Sequence, residues 1–573
     1  MQYQFERRFS IAMSSAIVAS LTIAQKTESQ RRDGAESVHI DADKRDRPST
    51  ILITIGDSLT HGTMDATNNS RNTLHAYAEL VAQSLNKVIN LRFVQPLWDD
   101  EQTRIDPYQV PTNLGVDGAD IFSAEGLEYY KTVGADENIL TADYLCDART
   151  PRRFDGKYDK VLFPLNRVGR HDVAQIDAAV ELLERHLADD VRNEAIVILW
   201  LGNNDSSTAA LGSGGENPMF IPLPVEQIES ELSPGLRLLL NAAQRIGLVS
   251  TDSYSQATIE RNMTDLADFA AQYGHIVDRL ATDERLAEGR TRFFLLTLPY
   301  YSSVGYLIDS EDMEYYFRKR NSEYSVPASF RRVAPDGGAI VDPLAGDRIS
   351  LLTFGLMYTL LATGHGIDEV NAVLETDGVQ NDGMVLSEGE QRSISSRIDE
   401  FNSVIRKNAS SRGAFVQEID AGKFLNDGLG GAVEISVGGK VLNRKWTRGS
   451  GFTLDGVHPG YTAQALIANY VLVDLNAVMG WNAPLYDLES VSVTDPYVDK
   501  DGDGFAPGPD APAHGLGELL FLLTDQDDAN QKIAENIPEN VWDIISSAVL
   551  DEVLGVDLIH REAQRLGIDR STK

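Results

Sequence analysis

The chain has 573 residues, of which 42% are hydrophobic and 24% charged, the composition of a soluble globular protein long enough for two to four domains. Its 51 Lys and Arg against 86 Asp and Glu give a net charge of −35, so the surface repels phosphate backbones and anionic membranes. Nucleic acid is therefore not an expected partner. The single cysteine, Cys146, excludes an intramolecular disulfide and a cysteine-built metal site.

The first 24 residues have the layout of a secretory signal peptide. Arg7 and Arg8 precede a mildly apolar stretch, residues 11–24, that ends in small residues. The alternative is a frayed amphipathic leader. Residues 25–48 are polar and charged and predict a disordered linker. We expect a secreted or periplasmic protein whose folded part begins near residue 49.

Strand-like and helical patterns alternate from residue 49 to about residue 481. Predicted strands cover residues 51–55, 195–202, 292–299 and 414–420. Predicted helices cover residues 79–85, 175–191, 260–281, 388–410 and 462–475. Ser387 and Glu390 are spaced as a capping box for the fourth of these helices. The alternation predicts an α/β fold, a three-layer α/β/α sandwich around a central parallel sheet.

Two long regions interrupt this alternation and predict insertions. Residues 206–258 and 300–386 contain clusters of Gly, Pro and Ser, and we expect them to cover one edge of the sheet, where lids and specificity loops are found. The apolar stretch 351–364 is either a lid helix for an acyl chain or a buried helix, and apolar runs are normally buried. At about 14 residues it is shorter than the roughly 20 that a bilayer span requires, so no integral membrane span is expected.

A C-terminal segment, residues 482–573, follows the alternating region and contains an acidic loop. Carboxylates at alternate positions, with Gly504 at the turn, match a calcium loop. The candidate ligands are Asp499, Asp501, Asp503, Phe505 through its carbonyl, and Asp510. The ion would be structural. The alternative is an Asp- and Gly-rich linker that binds no metal.

The residues that can carry chemistry lie at the ends of predicted strands. Ser58 directly follows the first strand, at the carboxyl end where open α/β sheets bind ligands. A serine hydroxyl needs a base, and that base needs an acid to orient it. Among ten histidines, His458 stands apart because Asp455 lies three residues before it on the same predicted loop. The alternative is a Gly-Asp turn that only happens to contain a serine.

Four short blocks appear in one order along the chain. They are Gly56-Asp57-Ser58-Leu59, Gly118 within residues 113–120, Gly202-Asn203-Asn204-Asp205, and Asp455-Gly456-Val457-His458. With these blocks the chain resembles a GDSL-type esterase or lipase of the SGNH hydrolase superfamily, over about residues 49–481. The resemblance implies an SGNH, flavodoxin-like α/β/α fold with long insertions and a C-terminal extension.

The resemblance also implies roles for individual residues. Ser58 would be the nucleophile, and His458 the base, oriented by Asp455. The oxyanion hole would comprise the N–H of Ser58, the N–H of Gly118 and the side-chain amide of Asn204. Gly115, three residues before Gly118, is an alternative donor. This chemistry needs no cofactor, so any calcium would only be structural.

The expected function is hydrolysis of carboxylic esters through an acyl-enzyme, with an extracellular lipid or a medium-chain ester as substrate. A carbohydrate acetylesterase and an acyltransferase are alternatives at the same site. A different class of protein, a non-catalytic surface-binding module, is disfavoured because it has no need of an intact Ser58, Asn204, Asp455 and His458. The sequence specifies neither the natural substrate nor the oligomeric state.

Overall fold

The computed structural model describes only part of the chain. The described residues are 48–64, 68–99, 104–126, 161–165, 173–211, 259–260, 263–318, 321–331, 342, 344–351, 353–354, 357, 361, 366–374, 385–453 and 455–499. The predicted signal peptide (1–24), the predicted linker up to residue 47, and the candidate calcium ligands after Asp499 lie outside these ranges.

The described strands are mostly short. They are β1 (Thr50–Gly56), β2 (Leu91–Arg92), β3 (Leu97–Trp98), β4 (Arg104–Ile105), β5 (Glu194–Trp200), β6 (Thr291–Leu296), β7 (Leu307–Ile308), β8 (Arg348–Ser350), β9 (Val385–Leu386), β10 (Val416–Ile419), β11 (Ile435–Val437) and β12 (Lys440–Leu442).

The α-helices of the described ranges vary from one turn to more than six. They are α1 (Ser58–His61), α2 (Ser70–Thr73), α3 (Tyr77–Leu85), α4 (Gln175–Asp189), α5 (Asn204–Leu211), α6 (Leu266–Leu280), α7 (Asp283–Glu288), α8 (Ser310–Phe317), α9 (Ile367–Asn371), α10 (Glu388–Ser411), α11 (Ala421–Gly428), α12 (Tyr461–Met479) and α13 (Leu488–Thr494).

Five strands form a parallel sheet in the order β10-β6-β5-β1-β2, which confirms the predicted parallel sheet and α/β class. From β1 the chain adds β2 at one edge, then returns to the other side of β1 and continues outward through β5, β6 and β10. The carboxyl ends of β1 and β5 flank this reversal, the position at which open α/β sheets bind ligands. Every residue of β1 is buried.

The predicted strands and helices are recovered, and the largest displacement of a boundary, six residues, is at the start of α6. Helix α6 begins at Leu266 and not at residue 260, because the side chain of Asp265 accepts hydrogen bonds from the N–H groups of Ala267 and Asp268 and caps the helix there. The predicted capping box of α10 is confirmed: Ser387 Oγ accepts from Glu390 N, and Glu390 Oε2 accepts from Ser387 N.

The described residues of the apolar stretch 351–364 favour a buried helix over a lid. Leu351, Phe354, Met357 and Leu361 are helical and buried. The ring of Phe354 stacks on Phe317 with centroids 4.9 Å apart. These side chains therefore belong to the core.

The described part of the second predicted insertion packs against the segment that carries His458. The N–H of Tyr306 donates to Gly456 O at 2.7 Å. The buried carboxylate of Asp309 forms ion pairs with Arg444 and Lys445. This part of the chain thus supports the loop 443–458 directly.

Helix α12 is the one described helix that is long and apolar enough to cross a membrane. The sequence analysis predicted this helix over residues 462–475 but took residues 351–364 as the strongest candidate for a membrane span. Half of α12 is buried, and it packs against α3, α11 and α13, so we interpret it as a core helix. At its start, Asp495 accepts hydrogen bonds from the N–H and hydroxyl of Thr462, which fastens residues 482–499 to the body of the protein.

Candidate active site

Ser58 lies at the first position of α1, directly beyond the end of β1. The strand ends at Gly56, where a Cβ would overlap Thr60 Oγ1 and the carbonyl oxygen of Trp200. Glycine therefore lets α1 fold closely over the end of the sheet. The Ser58 side chain is half-buried and borders an open cleft with an empty volume of ≈ 470 Å³.

Asp57 caps α1 and holds a residue from a second strand end. Its Oδ1 accepts from Leu59 N at 3.0 Å, and its Oδ2 accepts from the amide of Asn203 at 2.8 Å. Burial raises the pKa of Asp57 to about 6, although hydrogen bonds from Asn203 and Leu59 and the charge of His458 each lower it.

His458 and Asp455 form a buried pair on the loop before α12. His458 Nδ1 lies 2.6 Å from Asp455 Oδ2. Asp455 Oδ1 accepts hydrogen bonds from Thr453 Oγ1 and from the N–H groups of Val457 and His458, at 2.8 to 2.9 Å. The carboxylate is held on both oxygens, so it fixes both the loop and the orientation of the imidazole.

The loop that carries this pair requires a glycine. Gly456 has φ +71°, and a Cβ there would lie 2.7 Å from Tyr306 N, which donates to the Gly456 carbonyl. The second predicted insertion therefore packs closely against the turn between Asp455 and His458.

The cleft brings together three strand ends and the loop of His458. Its walls come from the segments after β1, β5 and β6 and from the residue before His458. The lining residues are Asp57, Ser58, Leu59, Asn203, Asn204, Ser207, Leu211, Pro299, Tyr300, Tyr301, Val304 and Val457. Among these described residues there is no Lys or Arg.

The loop 113–120 passes beside α1. The N–H groups of its two candidate glycines differ in their hydrogen bonds. The N–H of Gly115 donates to Asn113 Oδ1 at 2.9 Å. Gly118 has φ +73°, and no described residue accepts a hydrogen bond from its N–H. The same is true of the N–H of Ser58. Two backbone donors on neighbouring segments are thus available to a ligand.

Asn204 connects this loop to the end of β5. Its side-chain amide donates to Ala119 O at 3.0 Å, and the residue borders the cleft. The next residue, Asp205, accepts from Ile121 N and from Thr264 Oγ1. These bonds hold the Asn204 amide beside Gly118, and its second N–H is available to a ligand.

Three contacts in and around the candidate site were missed by the sequence analysis. They are the bond from Asn203 to Asp57, the bond from Tyr301 OH to Asn203 O at 2.5 Å, and a contact between His61 and Asp117. Asn203 was visible only as the variable position of the third block. Tyr301 had a weaker signal, its place just after the predicted strand that ends at Pro299.

Two further described histidines, His75 and His186, have structural surroundings, and a third, His275, lies at the surface. His75 stacks on Tyr461 with ring centroids 3.6 Å apart. His186 contacts carbonyl oxygens at the amino end of the sheet, and His275 is exposed, with Glu125 within 3.6 Å. His171 lies outside the described residues.

In the described ranges, no group of three or more His, Cys, Asp or Glu side chains is arranged to hold a metal. Asp499 is the one candidate calcium ligand within those ranges. Its carboxylate lies 3.9 Å from Lys440 Nζ.

Neither a family model nor a curated protein matches this chain.

Proposed function

We propose that the protein is a serine hydrolase that cleaves carboxylic esters through an acyl-enzyme. The observation that carries this proposal is the buried His458–Asp455 pair, 2.6 Å apart, on a loop that borders the same cleft as Ser58. A carboxylate on Nδ1 selects the tautomer whose Nε2 can accept a proton from a serine hydroxyl.

The proposed reaction has two steps. Ser58 Oγ attacks the ester carbonyl while His458 takes its proton, and the imidazolium then protonates the departing alcohol. His458 next activates a water, which attacks the acyl-enzyme and releases the acid while Ser58 regains its proton. Asp455 stabilises the imidazolium and stays ionised throughout, because its pKa is about 2.

The proposed oxyanion hole comprises the N–H groups of Ser58 and Gly118 and the amide of Asn204. Support for Gly118 over Gly115 comes from their hydrogen bonds, since the N–H of Gly115 is already taken by Asn113. Donors fixed before the reaction stabilise the tetrahedral intermediate without reorganisation.

We propose neutral esters with an apolar acyl group as the substrate class. Leu59, Leu211, Val304 and Val457 offer apolar surface in the cleft, and none of the described residues that line it is a Lys or Arg that could bind an anionic group. This support comes from the cleft and not from residues 351–364, whose described side chains are buried. An acetylated carbohydrate and an alcohol acceptor are the alternatives that a substrate survey distinguishes.

Three further proposals rest wholly or partly on the sequence. The four blocks and the sheet order β10-β6-β5-β1-β2 support a three-layer SGNH fold. Residues 1–24 support export to the periplasm or beyond the cell. Structural calcium at residues 499–510 likewise remains a proposal.

The first experiment is hydrolysis of p-nitrophenyl esters from acetate to palmitate by the wild type, Ser58→Ala and Ser403→Ala. We expect Ser58→Ala to lower kcat by about 10⁴-fold or more. Ser403 is exposed on α10, so its variant should keep wild-type rates. The chain-length optimum selects between an acetylesterase and a lipase, and added alcohol tests acyl transfer. A folded wild type with no turnover on any ester would contradict the proposal and favour a binding module.

A further inference from the structure

Two of the proposed oxyanion donors lie on separate segments of the chain. The N–H of Ser58 belongs to α1, and the N–H of Gly118 belongs to the loop 113–120. Both must point at one oxygen atom, so their separation has to be fixed to a fraction of an ångström. A contact that joins the two segments would set this separation.

His61, the last residue of α1, has an unusual environment for a buried histidine. It is 2% exposed, and its ring lies 4.5 Å from the ring of Trp98. Neither ring nitrogen forms a hydrogen bond with any described residue. Among the described residues, the carboxylate of Asp117 lies near it, with Nδ1 and Oδ1 3.5 Å apart. The imidazole thus packs between the indole of Trp98 and the carboxylate of Asp117.

Asp117 directly precedes Gly118 and is held by the segment that contains α1. Its Oδ1 accepts from Thr63 Oγ1 at 2.7 Å, and its Oδ2 accepts from the amide of Asn68 at 2.5 Å. His61, Thr63 and Asn68 therefore converge on one carboxylate. The position of Gly118 is thereby tied to the segment that begins with the nucleophile.

The backbones of the two segments are also in close contact. The Asn113 amide donates to Thr60 O at 2.8 Å, and a Cβ on Gly115 would overlap the backbone N of His61. The loop thus rests on the last turn of α1 at one end and is held by Asp117 at the other.

We infer that His61 and Asp117 are positioning residues whose contact fixes the N–H of Gly118 relative to the N–H of Ser58. The inference rests on the proposed esterase function and adds to it a specific pair of residues. Neither side chain is proposed to touch the substrate.

The test uses His61→Gln, Asp117→Asn and the double variant in the full chain. Each single change should lower kcat by about 10- to 100-fold, because displacement of a reacting geometry by about 1 Å costs up to 10²-fold. KM should stay within about twofold, since the lost interaction operates mainly in the transition state. The double variant should be no slower than the slower single variant, because the two residues act as a pair.

A thionoester provides the readout that separates positioning from loss of folded protein. Replacing the carbonyl oxygen by sulfur weakens the bonds to the oxyanion donors, so the wild type should strongly prefer the ester to its thiono analogue. The variants should lose most of this preference. Active sites are counted by labelling with a fluorophosphonate, so a smaller folded fraction cannot mimic the result. His186→Gln removes a buried histidine at the other end of the sheet and should leave kcat and the preference unchanged.

The outcomes separate the two proposals. If the wild type hydrolyses esters and the His61 and Asp117 variants keep its rate per labelled site and its ester preference, the positioning role is wrong and the esterase stands. If the wild type neither turns over esters nor reacts with the fluorophosphonate at Ser58, both proposals are wrong.

Discussion

Two buried carboxylates beside the proposed nucleophile and base have opposite pKa shifts. Burial disfavours the charged form of both. For Asp455, the charge of His458 and the bonds from His458 and Val457 outweigh burial and lower the pKa to about 2. For Asp57, the bonds from Asn203 and Leu59 do not outweigh burial, and the pKa rises to about 6. The number and charge of the hydrogen-bond donors therefore decide at which pH each carboxylate ionises.

Asp455→Asn should lower kcat by roughly 10³- to 10⁴-fold with little change in KM. An amide in this position stabilises the wrong imidazole tautomer and no longer balances the imidazolium. The measurement is kcat for a p-nitrophenyl ester across the pH range. Asp495→Asn, which removes a buried carboxylate that binds Thr462, is the matched control and should keep kcat. Equal losses in both variants would contradict an orienting role for Asp455.

Asp57→Asn should change stability in a pH-dependent way. The folded protein holds the Asp57 proton up to pH about 6, whereas the unfolded chain releases it near 3.8. Between these values the folded state binds more protons, so this group's contribution to stability falls as pH rises from about 4 to about 6. The loss is roughly 3 kcal/mol, since each pKa unit is worth about 1.4 kcal/mol.

An asparagine at position 57 has no such proton to lose. Urea unfolding measures the free energy of unfolding of both proteins. The value for Asp57→Asn, relative to the wild type, should therefore increase by roughly 3 kcal/mol from pH 4 to pH 7.5. The gain should survive 0.5 M salt, because buried charges are weakly screened. If the two proteins differ in free energy of unfolding by the same amount at pH 4 and at pH 7.5, this role of Asp57 is ruled out.

At the scale of elements, the contact between α1 and the loop 113–120 depends on Gly115. A Cβ there meets backbone atoms of Thr60 and His61, which cannot move aside as a side chain would. Gly115→Ala should cost about 1–3 kcal/mol of unfolding free energy, as overpacked sites do, and should lower kcat by separating the loop from α1.

Gly389→Ala is the matched control for this prediction. Gly389 lies in the first turn of α10, and only Ser387 Oγ, at 3.9 Å, comes within 4 Å of an added Cβ. Alanine should stabilise this helix by up to about 1 kcal/mol. Urea unfolding and kcat of both variants are measured side by side. Gly115→Ala with wild-type stability and rate would show that the loop can shift freely.

The elements that the sequence predicted well are those in which burial dictates the spacing of apolar residues. β1, β5 and β6 are mainly aliphatic or aromatic runs, β10 is buried at its two apolar ends, and α10 has its capping box in the sequence. The start of α6 was misplaced because a helical pattern extends past the Asp265 cap. Contacts such as Asn203 with Asp57, 146 residues apart, depend on chain crossings that no local pattern encodes.

At the scale of the whole molecule, a buried ion cluster joins the second predicted insertion to the segment before His458. Arg444, Lys445 and Arg348 together outweigh the burial of Asp309 and lower its pKa. Arg444 also donates to Leu307 O at 2.8 Å. Loop 443–458 therefore depends on a part of the chain that lies outside the parallel sheet.

Asp309→Asn should destabilise the protein by about 3–5 kcal/mol, because it leaves a buried guanidinium without its counter-charge. Asp278→Asn, which removes a mostly exposed partner of Arg412, should cost about 1 kcal/mol or less. Both values come from urea unfolding, and kcat per labelled active site is measured alongside. Equal costs in the two variants would mean that the Asp309 cluster is as well solvated as a surface pair.

The long separation along the chain between Ser58 and His458 has a consequence during synthesis. Ser58 and His458 are separated by 400 residues (458 − 58). At ribosomal rates of 5–20 residues per second, roughly 20–80 s pass between the two. Throughout that interval the proposed nucleophile has no base, and its strand has to wait for β5, β6 and β10 as well. Under the proposed function, the nascent chain is therefore inert toward esters until His458 has emerged, a delay imposed by the order of these residues along the chain.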